Sequence, residues 1–321
     1  MARTAFARKA LSLSTPSPAQ SPKPDADEVA INAGSWKLTW VDPTTKKSIA
    51  GEGGFGCTYR GEHTRSGLVA AVKLFPAHSD FRSECRHEAT IYGYIAELDV
   101  HRRFLNMIED GSDAPIPYLV LPWAGLSLSS YFKQQKAGVT AKLDPTRVVS
   151  AVSTQTADAL CFLHEKSVVH TDIKPSNLMI QGETMRIVII DFNAAERINA
   201  QDWRPRHSTY STFPYRAPEL WPSMQRSRPN PTPCLAAAVD IWSYGVTCIE
   251  TIRGGASLFG GSGCEIKTGK AIVDFTKSTT ALDKLVRTLP RSMGPLSGIH
   301  EIAACALVNK PSLRSLAITK R

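Results

Sequence analysis

A short polar stretch, His170-Thr171-Asp172-Ile173-Lys174-Pro175-Ser176-Asn177, lies between the apolar runs Val168-Val169 and Leu178-Met179-Ile180. No other feature constrains the fold as much. Two strand-like runs clamp the polar loop at both ends, so the scaffold aims its side chains. A second apolar run, Ile187-Val188-Ile189-Ile190, ends in Asp191-Phe192-Asn193. Asp172, Asn177 and Asp191 thus put two carboxylates and an amide oxygen at adjacent strand ends. Hard oxygen donors so placed suit a Mg²⁺ ion that also grips phosphates.

Upstream, Gly51-Glu52-Gly53-Gly54-Phe55-Gly56 is followed by Cys57-Thr58-Tyr59-Arg60 and then by the apolar run Leu68-Val69-Ala70-Ala71-Val72-Lys73-Leu74-Phe75. A glycine pattern of this kind is weak by itself, since it also occurs in ordinary turns. A dinucleotide fingerprint requires a helix directly afterwards, and here the chain continues as a strand. Glycines in such a loop let backbone N–H groups approach phosphates that a Cβ would obstruct. Further on, Glu84, Glu88, Ile91, Ile95 and Leu98 share one face at helical spacing, so a helix is expected there. A second, longer helix is expected from Val148 to His164, running into the polar loop.

Together these motifs resemble the protein-kinase family. His170 to Asn177 is similar to its catalytic loop with Thr171 where the family has Arg, and Asp191-Phe192-Asn193 is similar to its Asp-Phe-Gly triplet. Ala217-Pro218-Glu219, Asp240-Ile241-Trp242-Ser243-Tyr244-Gly245 and Arg314 resemble later motifs of the same family, in the same order. The resemblance implies an α+β fold of two lobes, a small antiparallel β-rich lobe of about residues 31–122 with one main helix, and a larger, mainly helical lobe of about 123–321. It implies ATP and Mg²⁺ as cofactors, with a protein substrate presenting a Ser or Thr hydroxyl. Asp172 is expected to orient the attacking hydroxyl, Lys174 to sit by the γ-phosphate, and Thr212 to bridge the two. Asn177 and Asp191 are the expected metal ligands. The nucleotide is expected against Gly51, Glu52, Gly53, Gly54, Phe55, Gly56, Thr58, Ala71 and Lys73, the hinge residues Leu121, Pro122 and Ala124, and Leu178 below. Glu88 is expected to pair with Lys73, in preference to Glu84 one turn earlier. Asn193 in place of Gly is expected to tolerate a positive φ and preserve the turn. The alternative within this fold is a pseudokinase scaffold that binds nucleotide or partners without efficient turnover. Glu219 and Arg314 are expected to form an ion pair bracing the larger lobe.

The rest of the composition narrows the field. A net charge of +9 raises a nucleic-acid reading, and from Lys267 to Arg321 there are ten Lys and Arg against three acids. They are spread singly, without a polybasic run or interleaved aromatics, so a solvated basic face is preferred and nucleic acid is not expected. Seven cysteines with no CxxC pair argue against a disulfide framework or a zinc site and fit a reducing compartment. No apolar window approaches the ~18 residues of a membrane span. Residues 1–30 are Arg-, Ser- and Pro-rich with no acid before Asp25, and are expected to be a disordered tail. A transit peptide has the same signature, so organelle targeting stays open beside a cytoplasmic or nuclear location. A monomer is expected.

Overall fold

The computed structural model describes residues 32–39, 51–53, 56–139, 143–182, 184–198, 212–220, 236–259, 270–272, 274–276, 278, 280–288, 298–308, 312 and 314–316. The side chains of residues 32, 51–53, 282, 283, 286, 288 and 298–301 are not among the described features. The basic tail, the loop tip at Gly54-Phe55 and the stretch 201–211 lie outside the described residues.

The first half builds an antiparallel sheet from β1 (Asn32–Ala33), β2 (Trp36–Thr39), β3 (Gly51–Gly53), β4 (Gly56–His63), β5 (Val69–Leu74), β6 (Glu109–Gly111) and β7 (Tyr118–Pro122). Their order is β1-β2-β4-β5-β7-β6, with β3 hydrogen-bonded to β4. Strand alternation gives β5 two roles. Ala70 and Val72 are fully buried in a core with Trp36, Leu38, Tyr59, Tyr118 and Val120. Ala71 and Lys73 therefore point to the opposite face, where Leu121 and Leu119 are their cross-strand partners. The one helix among the described residues of this lobe, α1 (Ser79–Leu98), packs on that face, its Cys85 and Ala89 meeting Phe75 and Leu119. One residue of alternation thus decides that Lys73 faces α1 and not the small core. At the base of the sheet, Glu109 accepts bonds from Trp36 Nε1 at 2.8 Å and the Tyr118 hydroxyl at 2.5 Å.

The second half comprises β8 (Leu126–Ser127), α2 (Leu128–Lys136), α3 (Pro145–Glu165), β9 (Val168–Val169), β10 (Leu178–Gln181), β11 (Arg186–Ile189), β12 (Glu196–Arg197), α4 (Ala236–Ile252), α5 (Ala281–Thr288) and α6 (Gly298–Ala306). Strands β11, β10 and β8 form one small sheet, and β9 pairs with β12. Helix α3 starts at a well-formed cap: Asp144 accepts from the Thr146 N–H at 3.0 Å, and Pro145 occupies the first turn, where no N–H is needed. Helix α4 is buried along nearly its whole length, as its run of Ala, Val, Ile and Trp requires. Gly245 makes this possible, because a Cβ there would lie 2.6 Å from that of Ala306 on α6. The main core joins the lobes, running from Ile91, Tyr92 and Ile95 of α1 through Leu121 to α3 and Phe192. No described helix is long and apolar enough to cross a membrane.

The two-lobed α+β architecture is the one expected. The turn after β11 corrects one expectation: Asn193 lies in a short 3₁₀ turn, and the positive φ falls on Asp191 at 69°. The backbone reverses where the strand ends, two residues earlier than the glycine analogy suggested.

Candidate active site

Lys73 Nζ donates to Glu88 Oε2 at 2.9 Å and to Asp191 Oδ1 at 2.6 Å. Glu88 is fully buried and Asp191 is 31% exposed, so the lysine links the interior of α1 to the mouth of the cleft. Burial alone would lower the Lys73 pKa, but the charges of Asp191 and Glu88 outweigh it and hold the ammonium well above its ordinary value. Burial opposes ionisation of Asp191 too, and Lys73 overcomes it, keeping that carboxyl below its usual value. Glu88 is pushed up by its own burial, against the pull of Lys73.

A second constellation lies across the cleft. Asp172 Oδ2 accepts from Lys174 Nζ at 2.6 Å, and Oδ1 accepts from the Thr212 N–H at 3.0 Å and its hydroxyl at 2.9 Å. Lys174 Nζ also reaches Thr212 Oγ1 at 2.8 Å, closing a triangle between residues 38 positions apart. Asn177 Nδ2 donates to the Asp172 carbonyl at 2.9 Å and to Oδ2 at 3.3 Å. That fixes the flip of the amide and turns Oδ1 away from Asp172.

The loop carrying these groups is supported from below by α4. Asp240, fully buried, accepts the backbone N–H of His170 at 2.8 Å and of Thr171 at 2.7 Å, while His164 Nε2 donates to it at 2.9 Å. His170 Nδ1 accepts from the Asp172 N–H at 3.3 Å, so its Nε2 carries the proton and donates to the Ile190 carbonyl at 3.1 Å. Phe192, fully buried, packs against Tyr92, Phe104 and His170 with ring centroids 5.0 to 5.8 Å apart. The two acidic strand ends are therefore held by one continuous polar and aromatic scaffold.

The residues expected to meet a nucleotide lie on the strands beside Lys73 and at the passage into the larger lobe. Thr58 is the cross-strand partner of Lys73, and Gly51 and Gly53 of β3 pair with Thr58 and Gly56. Gly56 has no room for a Cβ, which would lie 2.1 Å from the Leu74 carbonyl. Pro122 ends β7, Ala124 is buried beside it, and Leu178 opens β10 with no exposure. Gly125, at φ 85°, lets the chain pass 2.7 Å from the Ile180 carbonyl as it enters the larger lobe, a distance measured from where a Cβ would stand. The Glu52 side chain, Gly54 and Phe55 lie outside the described features. Sequence reasoning missed Tyr92, Phe104 and His164, which carry no motif: the two aromatics pack on Phe192, and His164 bonds to Asp240 from the helix before the loop. It also missed the backbone of Thr171, at φ 64°.

Asn177 Oδ1 and the Asp191 carboxylate, the latter 2.6 Å from Lys73 Nζ, are the hard oxygen donors that could hold a metal, and no cluster of three His, Cys, Asp or Glu exists among the described residues. Such a donor set is incomplete for a resident ion and fits Mg²⁺ arriving with phosphates that supply the remaining oxygens.

A family model described as "Protein kinase domain" matches residues 44–314. Among curated proteins, Arabidopsis thaliana serine/threonine-protein kinase Aurora-1 is 29% identical over 255 residues, covering 75% of this chain and 76% of that protein. Arabidopsis thaliana cyclin-dependent kinase B2-1 is 26% identical over 238 residues, covering 72% of each. Arabidopsis thaliana mitogen-activated protein kinase kinase kinase 5 is 28% identical over 253 residues, 75% of this chain and 32% of that longer protein.

Proposed function

The chain belongs to the protein kinase family, a family of phosphotransferases acting on proteins, and we propose that it is a catalytically competent serine/threonine kinase using ATP and Mg²⁺. The observation that carries this reading is the Asp172–Lys174–Thr212 triangle opposite the Lys73–Asp191 pair. Phosphoryl transfer needs little covalent chemistry from a protein; it needs reactants in line and the developing charge neutralised.

Asp172, gripped by Lys174 and Thr212, orients the acceptor hydroxyl toward the γ-phosphorus. The new oxygen–phosphorus bond forms as the bond to the β–γ bridging oxygen breaks. The hydroxyl proton passes to the Asp172 carboxylate, one of whose four donors gives way to it. Lys174 stands beside the transferring group, and Lys73, held by Glu88, meets the phosphates nearer the adenosine. Asn177 and Asp191 would hold Mg²⁺, which when bound neutralises charge on the phosphate oxygens. A Lys two positions after the catalytic Asp and a bridging Thr212 support Ser/Thr over Tyr acceptors. So does the similarity to the serine/threonine-protein kinase Aurora-1.

The test is transfer from γ-labelled ATP to a Ser/Thr/Tyr peptide library, with wild type and Asp172→Asn, at varied Mg²⁺. Transfer to Ser or Thr that depends on Mg²⁺ and is lost in Asp172→Asn is expected. Nucleotide binding without transfer in wild type would overturn the reading.

A further inference from the structure

Thr171 is a β-branched residue held at φ 64°, in the left-handed region that Gly or Asn enters with far less strain. Its backbone is placed there by Asp240, whose Oδ1 takes its N–H at 2.7 Å. The backbone geometry alone therefore disfavours Thr. The side chain makes one hydrogen bond: Oγ1 donates to the Ala194 carbonyl at 2.7 Å, buried, across 23 residues. Ala194 closes the short turn Phe192–Ala194 that begins at Asp191. The next carbonyl, of Ala195, faces His87 Nε2 of α1 at 2.7 Å, which requires the proton on that nitrogen. Two consecutive carbonyls just past Asp191 are thus each held by a side chain, one from each lobe. From there the chain enters β12, paired with β9.

We propose that Thr171 is a positioning residue, its hydroxyl holding the Asp191–Ala194 turn in the arrangement that presents Asp191 to the cleft. The strain at φ 64° persists because a hydroxyl on this particular Cβ reaches the Ala194 carbonyl. Glycine would relax the backbone and leave that carbonyl without its side-chain donor. The tether runs from the catalytic loop to the Phe192–Ala194 turn, so no modification of residues further along the segment is required to form it. Its consequence for catalysis rests on the proposed kinase activity, whereas the tether itself does not.

The experiment compares Thr171→Val, Thr171→Gly and Thr171→Ser with wild type by amide hydrogen exchange of full-length protein without nucleotide, followed by kinetics. Val keeps the shape and removes the donor; Gly also removes the strain; Ser keeps the donor. Exchange across residues 192–198 is expected to speed up at least tenfold in Val and Gly, to stay near wild type in Ser, and to be unchanged in α3. Val and Gly are expected to need several-fold more Mg²⁺ for half-maximal rate, with Ser restoring the wild-type requirement. Should Val fail to fold, the Gly-to-Ser comparison gives the same decision. Exchange in Gly within twofold of wild type would overturn the proposal, and so would equal loosening of α3, which marks a general loss of structure. If wild type transfers no phosphate and the exchange pattern holds, the tether stands and the activity reading falls.

Discussion

Lys73 has two carboxylates within 2.9 Å, and they are not equivalent. Glu88 is shut away in α1 while Asp191 is partly open to solvent, so truncations on either side should separate activity from stability. Lys73→Met and Asp191→Ala are both expected to lower the transfer rate by at least about 10²–10³. Lys73→Met should also cost about 1–3 kcal/mol of stability, because it removes the cationic donor of the buried Glu88. Asp191→Ala should melt close to wild type. Initial rates beside thermal melts check both, and a wild-type rate in either variant contradicts the assignment. The pH response follows from Glu88, which burial pushes up to about 7. Because its folded pKa is raised, its contribution to stability is full at low pH and is lost as pH rises toward about 7. Activity runs the other way, since the ionised form anchors Lys73. Therefore kcat/KM is expected to rise between about pH 6 and pH 8 in wild type, and Glu88→Gln should lack that limb. Lys73, Asp172 and Asp191 could be singled out in the sequence because they sit in short motifs that resemble the family's, and the structure joins Lys73 to Glu88 and Asp191. The φ of Thr171 was not, because it is set by Asp240, 69 residues away. The mistaken expectation for Asn193 arose because analogy transfers residue types, whereas the reversal depends on where β11 ends.

At the scale of elements, the apolar run of β5 and the stripe on α1 could be read directly, whereas the meeting of Lys73 with an α1 carboxylate was implied by the family resemblance and is seen in the structure. The sequence pattern alone favoured Glu88 only weakly over Glu84, and the packing of Cys85 and Ala89 against Leu119 decides it by fixing the rotation of α1. The strand order β1-β2-β4-β5-β7-β6 was not legible, since hydrophobic alternation assigns a face but not a neighbour. Helix α4 was legible as apolar and motif-bearing, yet its partner was not. The contact of Gly245 with Ala306 ties its position to α6, and through α4 the position of Asp240 beneath the catalytic loop. Gly245→Ala is expected to cost about 1–3 kcal/mol by overpacking, and Gly245→Val more. If the helix shifts to accommodate the side chain, the loop should suffer as well. Denaturant titration and kcat measured on the same samples would show stability and rate falling together. A Gly245→Val protein as stable as wild type would mean that α4 and α6 are not pressed together.

At the scale of the whole molecule, an ion pair joins two parts of the larger lobe that are 95 residues apart in the chain. Arg314 Nη1 and Nη2 meet Glu219 Oε1 and Oε2 at 2.6 and 2.9 Å, a bidentate pair across 95 residues. Arg314 also donates to the carbonyls of Ala238 at 3.0 Å and Val308 at 2.8 Å, and its guanidinium lies 5.0 Å from the Trp242 ring centroid. The arginine side chain is fully buried, so its charge depends on partners such as these. Removing one partner of such a pair strands the other, at about 3–5 kcal/mol. For a domain of this size that corresponds to a fall in melting temperature on the order of 10 °C. Arg314→Leu and Glu219→Gln should therefore each melt well below wild type. The losses should differ in size, because Arg314→Leu also removes two bonds to backbone carbonyls and the contact with Trp242. Combining the substitutions should cost much less than the sum of the two, since the second change removes a charge the first has already stranded. A double-mutant cycle by thermal melting measures this directly. Strictly additive losses would mean that the pair contributes no coupling, and that the burial of Arg314 is maintained by Trp242 and the Ala238 and Val308 carbonyls instead.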